Sequence, residues 1–252
     1  GVIQYTYGTM QNLIFQNITV DAPKMAYIGS ISQSYSTSIE EINLNNITVN
    51  GYSRVAGFIA QMEDASVHNI VLKTVNVNGS SDNVGGLIGN VTNAVNAGAR
   101  QFNIEADDVH VVSTGGSNHG VLYGYGSASN STIKNSSVDG NNNVGVVAGY
   151  NSFNIVQVTI ENCIISGNQY VGSITGSSGR TIIGTYTYNS QIYGKNSNSL
   201  YVGGLVGQHS SQISNSGIYH STITNPGNYT GGLIGKCNGV NLLRNAVQDC
   251  VV

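Results

Sequence analysis

The segment VGGLIG, Val84–Gly89, returns as VGGLVG at Val202–Gly207 and as TGGLIG at Thr230–Gly235. Half of its residues are glycine, which weakens a strand interior and supplies nothing to pack. The rest are apolar, like a short buried strand. Looser copies fill the chain: IGSISQ from Ile28, VAGFIA from Val55, HGVLYG from His119, VGVVAG from Val144 and VGSITG from Val171. Successive copies begin 27, 29, 35, 25, 27, 31 and 28 residues apart. Eight copies at a mean spacing of about 29 residues fall in the range of solenoid repeats.

A second motif, I-x-N-x-x-[IV]-x-G, precedes the hexapeptides and is clearest in IKNSSVDG from Ile133 and IENCIISG from Ile160. A looser apolar segment follows each hexapeptide, and Asn-Gly, Asp-Gly and Ser-Gly pairs punctuate the repeats. The reading is an all-β chain: a parallel β-solenoid of eight to nine coils over residues 1–252, each coil pairing with the next about 4.8 Å away. Only 2 prolines occur, consistent with strands that donate every ladder N–H. An antiparallel sandwich does not account for the repeated motif.

Parity along the hexapeptide assigns its second, fourth and sixth residues to the interior, where a large fourth residue sits between two small ones. Its odd positions then face outward. On that assignment Val55, Ile59, Val84, Ile88, Val144, Val171, Val202, Val206 and Ile234 form a flat aliphatic strip. Such a strip marks an interaction surface unless a neighbouring segment covers it or the two faces are reversed. The motif asparagines Asn17, Asn46, Asn135, Asn162, Asn189 and Asn245, with Thr74 in register, form a column suited to a structural ladder of stacked amides.

The glycine-rich hexapeptides resemble the GLUG repeat. The likeness extends over essentially the whole chain, closest at Val84, Val202 and Thr230. It implies a β-solenoid array of the kind found in large surface and adhesin-like proteins, and the motif brings no catalytic residue.

Composition narrows the function. Charged residues are 8 % and the net charge is −3, so there is no basic field for nucleic acid or anionic lipid. No apolar run is long enough for a spanning helix. The chain opens on Gly1 inside a patterned region, as expected for part of a longer, secreted or surface protein. Cys163, Cys237 and Cys250 have no metal spacing and read as free thiols, a Cys237–Cys250 bridge being the alternative. No histidine begins a zinc motif, and His119 and His220 read as substitutions on an outer face. GGLIGK before Cys237 lacks the first glycine and the hydroxyl of a phosphate loop. Seven N-x-[ST] sequons, in a chain this rich in Asn, Ser and Thr, are weak evidence of glycosylation.

No cofactor, metal or catalytic residue is therefore expected. The expected function is an extracellular structural or adhesive repeat, a rigid spacer or filament subunit that associates with itself through coil edges and the aliphatic strip. One alternative is a module binding ice or polysaccharide on that strip. The other is a carbohydrate-active enzyme centred on Asp107 and Asp108, with Arg100, Glu105 and His110 nearby.

Overall fold

The computed structural model describes residues 1–63, 66–92, 101–151 and 153–252. Arg100 lies outside them. The described residues are all-β, with no helix among them. Every strand pairing is parallel and joins a residue to its equivalent about one repeat later. The chain is the expected β-solenoid. First hexapeptide residues stack directly: Val55 on Val84, Val84 on His119, His119 on Val144, then Val171, Val202 and Thr230.

Each full coil turns at three places where a residue adopts positive φ. One column precedes the hexapeptide and runs Tyr27, Arg54, Asn83, Asn118, Asn143, Tyr170, Tyr201, Tyr229. A second runs Asn12, Glu41, Asn69, Asn103, Asn130, Gln157, Gly184, Asn215, Arg244. The third lies five residues further along in every coil, from Asn17 and Asn46 to His220 and Asp249. Asparagine is common there because its short amide tolerates the left-handed conformation that most L residues avoid.

The third column is the motif column, with two corrections. Its asparagines sit at exposed corners, so backbone conformation rather than a buried amide selects them. Amide bonds still form: Asn46 donates to Asn17 at 2.8 Å and Asn162 to Asn135 at 3.3 Å. Asn245 is not a member. Ile218 pairs with Val247, which places Asp249 beside His220, while Asn245 lies beside Ser216 and accepts its N–H at 3.1 Å. The last copy resembles the motif from Leu243, as LRNAVQ, but its first motif position is Val247, four residues later. Further amide ladders lie outside the motif, at Asp21–Asn50–Asn78 and Asn141–Asn168–Asn196.

The hexapeptide is not one strand. Val84–Gly85 ends a strand, Gly86 and Leu87 bend, and Ile88–Thr92 begins the next. Alternation fails across the bend, so both flanks face inward. Val55, Ile59, Val84, Ile88, Val144, Val171, Val202 and Val206 are fully buried and Ile234 is partly buried. The aliphatic strip is core, and the interaction surface assigned to it does not exist. His119 shares that interior, whereas His220 stands at an exposed corner.

The arch explains the glycines. A Cβ on Gly172, the second residue of its copy, would lie 2.5 Å from Val206 Cα in the next coil. A Cβ on Gly235, a sixth residue, would lie 2.5 Å from the Tyr201 carbonyl carbon in the preceding coil. The two arms of the arch thus meet backbone against backbone. The first copy is one residue shorter at the bend: Ile28 pairs with Val55 but Ile31 with Ile59. Its sixth position is therefore Ser32, a small residue, and not Gln33.

Residues three apart beyond the arch trade volume. Ile59 is followed by Met62 and Ile88 by Val91, but the fully buried ring of Tyr123 packs where Gly126 has no side chain. The residue after each third-column corner also points inward. Ser136, Ser190 and Ser221 take this place, and so do Cys163 and Cys250. Their hydroxyls or thiols donate to the carbonyl two residues back, as in Ser190 to Tyr188 at 2.8 Å and Cys163 to Glu161 at 3.4 Å. All three cysteines are free, and burial pushes the Cys163 thiol up to about 11.

Gly172→Ala is expected to lower the midpoint of urea unfolding, by about 1–3 kcal/mol of stability for overpacking. Gly179→Ala, whose Cβ would meet only the Ser210 hydroxyl at 3.5 Å, is expected to leave it nearly unchanged. Equal effects of the two would show that the arch is not held by backbone contact.

Candidate functional site

The constant five-residue step between the second and third corner columns makes one side of every coil the same length. Of its four residues the first and third point inward, and the two neighbours of the third point outward, by strand alternation. The inward column includes Leu44, Leu72, Ala106, Ile133 and Ile160, all buried. The outward pairs, coil by coil, are Val71 and Lys73, Glu105 and Asp107, Thr132 and Lys134, Thr159 and Glu161, Tyr186 and Tyr188, and Gly217 and Tyr219. They make a flat track along the rod.

Where small Ala106 follows Leu72 the track carries a groove of about 410 Å³, lined by Lys73, Glu105, Asp107, Thr132 and Lys134. Lys134 reaches Glu161 at 3.5 Å and Asp107 accepts the Asn135 amide at 2.8 Å. The side chains of Lys73 and Glu105 have neither a hydrogen bond nor an ion pair among the described residues, and both are exposed. Further along, Tyr188 and Tyr219 stack with ring centres 5.2 Å apart, and Tyr186 lies 6.4 Å from each.

Asp107 and Asp108 do not act together. Asp107 lines the groove, whereas Asp108, at the corner, bonds His110 Nε2 at 2.9 Å. His110 Nδ1 in turn meets Ser137 Oγ of the next coil at 2.8 Å. The three groups have the composition of a charge-relay triad. However, the side chains of His110 and Asp108 are 42 % and 51 % exposed, so water competes for the bond between them, and Ser137 does not line the groove. Their role in the fold is to tie two coils together at a corner. Among the described residues no group of three or more His, Cys, Asp or Glu is placed to hold a metal ion.

Sequence reasoning located the acidic repeat but missed Lys73, Lys134 and the three tyrosines. These stand on the same motif, one residue either side of the inward position, and parity within the five-residue side would have found them.

Two histidines lie in the interior. His119 is fully buried and neither ring nitrogen is hydrogen-bonded; loss of water holds its pKa down at about 4. His209 is buried as well and shifted the same way, for the same reason.

No protein-family model matches the chain, and neither a curated protein nor a solved structure matches it.

The folded-state pKa of His119 lies below the unfolded value of 6.5, so the unfolded chain binds the extra proton first. Stability is therefore expected to be full above pH 6.5 and to fall between 6.5 and 4, by about 3 kcal/mol from this group. His119→Val, restoring the residue type of its column, is expected to flatten that loss in urea titrations across this window. An unchanged acid profile would contradict it.

Proposed function

We propose that the chain is a structural, adhesive repeat protein of the GLUG type, a rigid β-solenoid spacer that extends by stacking coil on coil outside the cell. The observation that carries this reading is the unbroken parallel ladder, in which each coil of the described residues bonds the next through the same columns. Leu242 and Val247 are 48 % and 43 % exposed, while their partners one coil earlier, Ile213 and Ile218, are fully buried. These are core positions without a covering layer, on strands whose outer edge is unpaired. Such edges template the addition of another strand. A further coil, from a longer chain or from a second copy, completes both the ladder and the core. The low charge supports the reading, since little repulsion opposes close approach.

In this reading Asp107 and Asp108 serve the fold, Asp107 accepting from Asn135 and Asp108 bonding His110. Recognition of ice is disfavoured. The outward column that begins Thr19 and Thr48 continues as Asn76, His110 and Ser137, so this column forms no regular threonine rank.

Light scattering across a concentration series is expected to show association of the 252-residue chain. Leu242→Lys with Val247→Lys is expected to abolish it while the far-UV circular dichroism stays that of a β protein. A monomer at every concentration, or association untouched by the double substitution, would contradict self-stacking.

A further inference from the structure

We infer that the flat track on the five-residue side binds a neutral polysaccharide chain laid along the rod axis. The track runs along the side of the molecule, so this inference is independent of stacking at the ends.

Three observations converge on that occupant. First, the groove presents unspent hydrogen-bonding groups of both kinds. Glu105 has no partner among the described residues and accepts only; Lys73 has none and donates only; Thr132 does either. Sugar hydroxyls, each a donor and an acceptor, match such a mixed lining. Second, three tyrosines occupy the same outward columns three and four coils from the groove centre. Aromatic rings supply apolar area with a polar tip, which suits the alternating apolar and hydroxylated surfaces of a sugar ring. Third, the track is straight and long. Lys73 to Tyr219 spans five coil spacings, about 24 Å at 4.8 Å each, so an extended polymer reaches both parts and a monosaccharide does not.

Charge selects the neutral class. Lys73 and Lys134 face Glu105, Asp107 and Glu161, a balance of +2 against −3. That sum attracts neither sulfated nor uronic polymers. The lysines are placed as local donors among carboxylates rather than as an anion site.

The groove and the tyrosines have separable roles. The groove fixes orientation by hydrogen bonds, and the tyrosines add contact area at the far end. A ligand long enough to touch both is expected to bind more tightly than a fragment that fills the groove alone.

Affinity electrophoresis of the 252-residue chain through gels containing galactomannan, xylan or a mixed-linkage β-glucan tests this. At least one of the three is expected to retard the protein. Lys73→Met with Glu105→Gln is expected to weaken retardation at least tenfold in apparent Kd, and Tyr188→Ala with Tyr219→Ala to weaken it by a similar factor. Far-UV circular dichroism checks that both variants remain folded; Lys73→Gln alone serves if the first does not. Retardation by none of the three polymers, retardation only by dextran sulfate, or retardation that survives both folded variants would overturn the inference. The Leu242→Lys, Val247→Lys variant is expected to bind as the native chain does, which keeps the result separate from self-stacking.

Discussion

The molecule depends on one close approach. At the arch of every coil, the strand entering the bend lies against the strand leaving the bend of the next coil, backbone on backbone. Gly172 meets Val206 Cα there, and Gly235 meets the backbone of Tyr201. A side chain at either place would hold the arms apart. Separated arms would open the space between Val171, Ile174 and Val206, which are fully buried. The hexapeptide is thus a steric rule written once per coil: small where two backbones meet, apolar where the arms face the core. Two copies relax it, the first with Ser32 and the second with Ala56 and Ala60.

The corners supply the second constraint. Three left-handed residues per full coil turn the chain sharply while leaving the ladders in register. Asparagine meets this demand and then bonds to its equivalent in the next coil, so one residue type serves both the turn and the stack. Where tyrosine takes the corner instead, ring stacking replaces the amide bond. Tyr170 and Tyr201 lie 5.3 Å apart and Tyr201 and Tyr229 4.9 Å apart, with Lys236 over the Tyr201 ring. Inside the corner, serine and cysteine hydroxyls or thiols occupy places that Ile47 and Val75 fill in earlier coils. The core therefore grows more polar toward the C-terminal coils without losing its hydrogen bonds.

The repeat was legible because sequence identity at a fixed period has one cheap structural cause, stacking. The pairing of Val55, Val84, Val144, Val171 and Val202 follows the alignment of their hexapeptides. What failed was local. Parity holds only within a strand, and the bend at Gly86 and Leu87 turned an expected outer strip into core. Asn245 was misplaced because the last copy keeps the shape of the motif but not its phase. The groove stayed hidden for a different reason. Its lining comes from residues roughly one coil apart in sequence, such as Lys73, Asp107 and Lys134, which hold one motif position but differ in type and charge, so the column they make appears only through the ladder.

In-register parallel stacking is tested most directly by distances along one corner column. Paired spin labels at Asn46–Asn189, Asn46–His220 and Asn17–His220 span five, six and seven coil spacings. Double electron–electron resonance is expected to return distances near 24, 29 and 34 Å, rising by about 4.8 Å per coil. Distances that do not increase with coil number would contradict the solenoid.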